Sequence, residues 1–281
     1  MRRQTLGDSS SRSVAVHFWV VKPFDNVGVA RSLMDVLSSF GFSHDEIDLG
    51  WERNHFVPLP EHEQDFLSKW LHQRDERDIG KHLLLRRTSW PRGTLRATVD
   101  ATGVLPFDLF YLDCETRFVE NPEGQDAFIR LCIALYDLLH PAFGQVDEIL
   151  TMAKAESPVK LRAGLPGLLW GTFFGPEYVG MFGEKRVREL ATSFPVYLEW
   201  LSDDGFFLRL APTLREARST NLDQLLEGIK THLGLECFSS GRQGAELGAR
   251  LESRKARVPS FRFLEARKSR LAGHMNEGDR H

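Results

Sequence analysis

Residues 82–119, HLLLRRTSWPRGTLRATVDATGVLPFDLFYLDCETRFV, carry the pattern on which the fold depends. Three apolar and aromatic runs, HLLLRRTSW (82–90), TLRATVDAT (94–102) and DLFYLDCETRFV (108–119), are separated by Pro91–Gly93 and Gly103–Pro106. Runs bounded in this way read as strands joined by turns, and connections this short make the neighbours antiparallel. Within TLRATVD apolar and polar residues alternate, so one face of that strand is buried.

Outward from this sheet the pattern alternates between strands and amphipathic helices. VAVHFWVV (14–21) reads as a buried first strand. The next helix begins near Asn26, with Val29, Leu33, Val36, Leu37 and Phe40 on one face and Gly41 closing it. HDEIDLGWERNHFVPLP (44–60) reads as irregular, its Asp45, Glu46, Asp48 and Glu52 forming an exposed acidic loop. A second, surface helix follows over EHEQDFLSKWLHQRDERD (61–78), with Phe66, Trp70 and Leu71 as its apolar stripe. Glu123 to Leu139 is a third helix, with Phe128, Leu131, Cys132, Leu135, Leu138 and Leu139 on one side and Pro141 preventing continuation. FGQVDEIL (143–150) fits either a short strand or the opening of a helix. FPVYLEWLSDDGFFLRLAP (194–212) is a hairpin turning at Asp203–Asp204–Gly205, and Asn221 caps a helix over LDQLLEGIKTHLGL. The expectation is an α+β fold of antiparallel or mixed sheets packed with amphipathic helices. Residues 1–13 form a polar, flexible leader, 14–238 a single domain with a coarse echo between its halves, and 239–281 a basic, partly disordered tail.

The chain has 281 residues, 42% of them hydrophobic and 27% charged, which is ordinary for a globular protein. Cys114, Cys132 and Cys237 are widely separated and lack metal or redox spacing, so each reads as a small buried hydrophobe in a reducing, cytoplasmic setting. The net charge of −3 hides an asymmetry: from Ser239 onward ten Lys/Arg face five Asp/Glu, a surplus of +5 that leaves −8 on the preceding 238 residues. An acidic body argues against a nucleic-acid-binding fold and favours a basic partner.

The search for chemistry yields no GxxxxGK[ST] loop, GxGxxG turn, GxSxG elbow or HExxH pair; HEQD (62–65) lacks the second histidine. His55, His62, His72 and His82 are scattered, and no metal or cofactor is expected. Asp113 and Glu115 share a strand face at a spacing that can pair carboxylates for acid–base work, although such residues commonly sit on a solvated face.

One further stretch combines two demands. GLLWGTFFGPEYVGMFGEKRV (167–187) sets Trp170, Phe173, Phe174, Tyr178 and Phe182 among Gly171, Gly175, Pro176, Gly180 and Gly183. Trp170, Phe174, Tyr178 and Phe182 recur every four residues, Pro176 fits the first position of a helix, and Gly183 fits a left-handed stop. The reading is an aromatic-rich bend between short helices, anchored to the core or offered for docking. This motif resembles that of bacterial immunity proteins related to the Immunity protein 52 family and to type VI immunity proteins, with Trp170, Gly171, Phe174, Gly175, Pro176, Tyr178, Val179 and Gly183 at the matching positions. The resemblance implies a cofactor-free binding protein that protects its producer or a kin cell by occluding a cognate toxin, and it carries over no catalytic residue. A basic toxin surface would suit the acidic body. Two other classes are consistent with the sequence: an enzyme whose polar residues converge in a pocket around Asp113, Glu115 or Tyr178, and an adaptor of a bacterial assembly that docks through the aromatic bend or the tail.

Overall fold

The computed structural model describes residues 12–21, 24, 26–48, 56–71, 82–98, 107–152, 164–238 and 259. The tail beyond Phe238 apart from Pro259, the first eleven residues, and His55 and His72 lie outside the described residues. In chain order the strands are β1 (Ser13–Val20), β2 (Glu46–Asp48), β3 (Phe56–Pro58), β4 (His82–Arg87), β5 (Gly93–Thr98), β6 (Asp108–Glu115), β7 (Pro141–Glu148), β8 (Gly171–Phe174), β9 (Tyr197–Trp200) and β10 (Phe206–Arg209). They form one sheet in the order β3-β2-β4-β5-β6-β1-β7-β8-β10-β9, and every pairing among them is antiparallel. The helices are α1 (Val27–Ser39), α2 (Glu63–Leu71), α3 (Thr116–Val119), α4 (Pro122–Leu139), α5 (Ile149–Met152), α6 (Pro176–Phe182), α7 (Glu184–Ser193), α8 (Leu214–Ser219) and α9 (Asp223–Leu233). The fold is α+β, and no helix among the described residues is long and apolar enough to cross a membrane.

Helices cover both faces of the sheet, which explains its two cores. Val14, Val16, Phe18 and Val20 of β1 point into the first, with Leu33 and Leu37 of α1 and Phe128, Leu131 and Leu135 of α4. Trp19 points the other way, into a second core with Phe143, Phe174, Tyr178, Phe182, Leu190 and Ile229. A strand buried on both faces has no reason to alternate, and β7 shows it: seven of its eight residues are buried. That resolves FGQVDEIL as mostly strand, with α5 starting at Ile149.

Several local expectations are met in detail. The Asn26 side chain accepts from the Val29 amide at 2.9 Å and caps α1, while Gly41 beyond its end has φ of 70°. The α4 helix begins at Pro122 under an Asn121 cap and ends at His140, whose φ of 45° turns the chain into β7. The β9–β10 turn places Asp204 at φ 64°, and Asp203 ties it down by accepting from the Gly205 amide at 3.0 Å and the Tyr136 hydroxyl at 2.9 Å. Phe66 and Trp70 of α2 are buried as expected, and the Trp70 indole donates to the Phe24 carbonyl at 2.8 Å.

Two readings are corrected. Residues 44–60 are not simply an irregular loop, because β2 and β3 pair there, with Ile47 opposite Val57, and extend the sheet to its edge. Glu46 is bound to Arg86, and Asp45 accepts from the Thr88 amide and hydroxyl, so two of the residues expected in an acidic loop hold strands together. The other correction concerns Gly171–Phe174, which is strand β8 between β7 and β10 rather than a helix. With all four residues buried, period-four aromatics at Trp170 and Phe174 mimic a helical stripe that backbone pairing overrides. The helix after the break does start at Pro176. Gly183 ends it with the positive φ expected of it, 91° with ψ 123°, and α7 starts at Glu184.

Candidate functional site

Where β4, β5 and β6 run out beside α3, the surface opens into a cleft of about 1170 Å³. Five arginines line it, Arg12, Arg86, Arg87, Arg92 and Arg117. Three carboxylates, Asp113, Glu115 and Glu120, share the lining, so its formal charge is positive on a body that is acidic. The neutral lining residues are Ser13, Thr88, Gly93, Thr94 and Thr116.

Strand geometry builds the floor. Along β6 the even-numbered residues are buried and the odd ones half-buried, which sets Tyr111, Asp113 and Glu115 on the face away from Phe110, Leu112 and Cys114. Asp113 and Glu115 therefore do share a face, as their spacing requires. Asp113 accepts from the Thr94 amide at 3.1 Å and from its hydroxyl at 2.6 Å. The Tyr111 hydroxyl donates to it as well. Burial pushes the Asp113 carboxyl up, while the bonds from Thr94 and Tyr111 and the charge of Arg96 hold it down. Glu115 accepts from the Arg92 amide at 3.2 Å. Between these contacts Gly93 presses against β6 so closely that a Cβ would lie 2.0 Å from the Asp113 carbonyl oxygen. Glycine is needed there for proximity, since no side chain fits between the strands.

The arginines fall into two groups. Arg86 is fixed: its guanidinium binds Glu46 at 2.5 Å and lies 3.9 Å over the Phe56 ring. Arg87 is fixed too, donating to the Ser43 carbonyl at 2.9 Å and the Trp90 carbonyl at 2.7 Å. Arg12, Arg92 and Arg117 are exposed, and their guanidinium groups have no hydrogen-bond or ion-pair partner among the described residues. The β4–β5 turn that supplies Thr88 and Arg92 also carries Trp90, 56% exposed, whose ring meets Phe118 edge-on at 6.4 Å. Chemically the cleft offers guanidinium forks suited to carboxylate or phosphate oxygens, together with an indole face.

The aromatic motif lies elsewhere and is sealed. Trp170, Phe173, Phe174, Tyr178 and Phe182 are each at most 3% exposed. The Trp170 amide donates to Asp147 at 3.0 Å and its indole to the Ala211 carbonyl at 3.2 Å. Phe174 stacks on Phe206 at 4.6 Å and meets Tyr178 and Phe182 edge-on. Gly171 starts β8, Gly175 donates its amide to the Ala142 carbonyl at 2.8 Å, and Pro176 opens α6. The structure thus gathers Trp170, Gly171, Phe174, Gly175, Pro176, Tyr178 and Gly183 around β8 and α6, with Trp170 packed in the first core and Phe174 and Tyr178 in the second. Asp113 and Glu115 are on the cleft, and Tyr178 does not join them. Sequence reasoning missed the five arginines because they come from three separate stretches of the chain, at residues 12, 86–92 and 117. The available signal was RRTSWPR (86–92), three arginines and a tryptophan in a tight turn.

No family model matches the chain, and no curated protein matches it by sequence. Among solved structures, a Pseudomonas aeruginosa T6SS protein, PA0821, is similar in fold, with a TM-score of 0.50 at 12% identity over 90% of this chain and 88% of that one. At that identity the likeness is one of fold alone, and it extends over nearly the whole of both chains.

Proposed function

We propose that this chain is an immunity protein that binds a cognate bacterial toxin and neutralises it by occlusion, acting in the cytoplasm without a cofactor. The observation that carries the reading is the arginine cleft with Trp90 on its adjoining turn. Arginine and tryptophan dominate the few residues that supply most binding energy at protein interfaces. The aromatic motif of residues 165–187 resembles that of Immunity protein 52 and type VI immunity proteins, and the fold likeness to a protein described as a T6SS protein adds support from a second direction. Occlusion asks for a preformed surface of roughly 800 Å² on each partner, and a rigid ten-stranded sheet supplies the scaffold for one.

The test is co-expression with the protein encoded by the adjacent gene, the first candidate toxin. Cells that die when that protein is produced alone should grow when this chain is produced with it, and the two should co-purify. Undiminished killing in the presence of folded, abundant chain would reject immunity for that pair.

A further inference from the structure

The geometry points to a partner segment rich in carboxylates as the occupant of the arginine cleft, held by Arg12, Arg92 and Arg117 and anchored on Trp90. This rests on the immunity reading and adds to it where the toxin docks and with what chemistry. It also reverses the expectation, drawn from the acidic body, that the partner surface is basic.

Four observations favour this occupant. First, Arg12, Arg92 and Arg117 are exposed and lack a charged partner among the described residues, so no described carboxylate competes for them. Arg86 and Arg87 are already pinned by Glu46, Ser43 and Trp90, which presents the β4–β5 turn in one conformation and lowers the ordering penalty on binding. Second, the guanidinium fork matches a carboxylate with two parallel hydrogen bonds, so several free arginines select an acidic segment over a basic one. Third, at about 1170 Å³ the cleft exceeds the roughly 300–1,000 Å³ of small-ligand sites and suits a length of chain with several side chains. Fourth, Asp113, Glu115 and Glu120 lie among the arginines. A continuous polyanion such as a nucleic acid would be set against those three carboxylates, whereas a protein segment can place Lys, Ser or amide groups there. Mixed charge of this kind fixes register and rejects wrong partners.

The experiment uses the full chain in two arms. In the first, fluorescence anisotropy follows a labelled peptide of about 8 residues with Glu alternating with Ser and Gly, and its counterpart with Lys in place of Glu. The Glu peptide should bind the wild type and the Lys peptide should not. The double variant Arg92→Glu, Arg117→Glu should bind the Glu peptide about tenfold more weakly or worse, and raised salt should weaken wild-type binding. Arg130→Glu, an exposed change on α4 away from the cleft lining, should bind like wild type. Equal binding of the Glu peptide by wild type and double variant, or displacement of it by single-stranded DNA at equal charge concentration, would overturn the proposal. Circular dichroism and the thermal midpoint establish that the variants are folded.

In the second arm the same variants, with Trp90→Ala, are co-expressed with the adjacent-gene toxin. Loss of protection by the folded double variant and by Trp90→Ala supports the cleft as the docking site. Full protection by both removes the cleft from the interaction and leaves the immunity reading standing. If the wild type fails to protect while the peptide arm behaves as stated, the immunity reading falls for that pair and the cleft remains a site for acidic segments.

Discussion

At Gly93 and Gly180 the same substitution has opposite consequences, because the two glycines meet different surroundings. A Cβ at Gly93 would sit 2.0 Å from the Asp113 carbonyl oxygen, so Gly93→Ala must part β5 from β6 at the cleft floor. We expect it to lower stability by about 1–3 kcal/mol in urea denaturation. Gly180 lies exposed within α6 with nothing near its Cβ position, and Gly180→Ala should raise stability by about 0.5–1 kcal/mol. Histidines supply a further residue-scale test. Burial pushes His17, 4.1 Å from the Trp19 ring, down to about 4, and burial together with Arg87 does the same for His44. Both fall from 6.5, so unfolding takes up protons below that pH. The stability they contribute is complete above about 6.5 and is lost as pH falls towards 4. Asp113 and Asp147, whose carboxyls burial raises, act in the opposite sense, so the imidazoles are best read directly. Both rings should keep the NMR shifts of neutral imidazole at about pH 5.5, and titration of either near 6.5 would contradict its burial.

Among the elements, legibility followed burial. Helices α1 and α4 bury one face each, and the apolar spacing of both, the Asn26 start and Gly41 end of α1 and the Pro141 stop after α4 were readable from the sequence. The β9–β10 hairpin was readable from Asp203–Asp204–Gly205, because turn chemistry is local. Strand β8 was not, since a strand buried on both faces shows no alternation and its aromatics happened to fall at helical spacing. Strands β2 and β3 were hidden for another reason: each is three residues long, and Pro58 and the charges around them resemble a loop. Pairing of β2 with the distant β4, and of β3 with β2, makes them strands. Two element-scale predictions follow from caps and ties. Asn26→Ala removes the bond to the Val29 amide and should cost about 1 kcal/mol. Asp203→Ala removes the acceptor of the Gly205 amide and leaves the Tyr136 hydroxyl only the Phe174 carbonyl at 3.4 Å, and should cost about 1–3 kcal/mol, with faster hydrogen exchange in the β9–β10 turn.

On the scale of the molecule, a ten-stranded antiparallel sheet brings residue 12 beside residues 86–94 and 113–120, and that convergence makes the cleft. No local pattern in the sequence could show it. The −8 on residues 1–238 pointed to a basic partner, yet charge summed over a body says nothing of its distribution, and the distinctive surface turned out to be arginine-lined. The aromatic motif that carries the family resemblance is buried on both sides of the sheet, Trp170 and Phe173 in the first core and Phe174, Tyr178 and Phe182 in the second, so its residues bear on stability while the accessible chemistry lies elsewhere. Hydrogen–deuterium exchange of the full chain, alone and bound to the adjacent-gene toxin, tests this division most directly. Slowed exchange at residues 87–93 and 115–120, with β8 and α6 unchanged, is the predicted result. Unchanged exchange in the β4–β5 turn, with protection confined to the exposed edge strand Tyr197–Trp200, would contradict it.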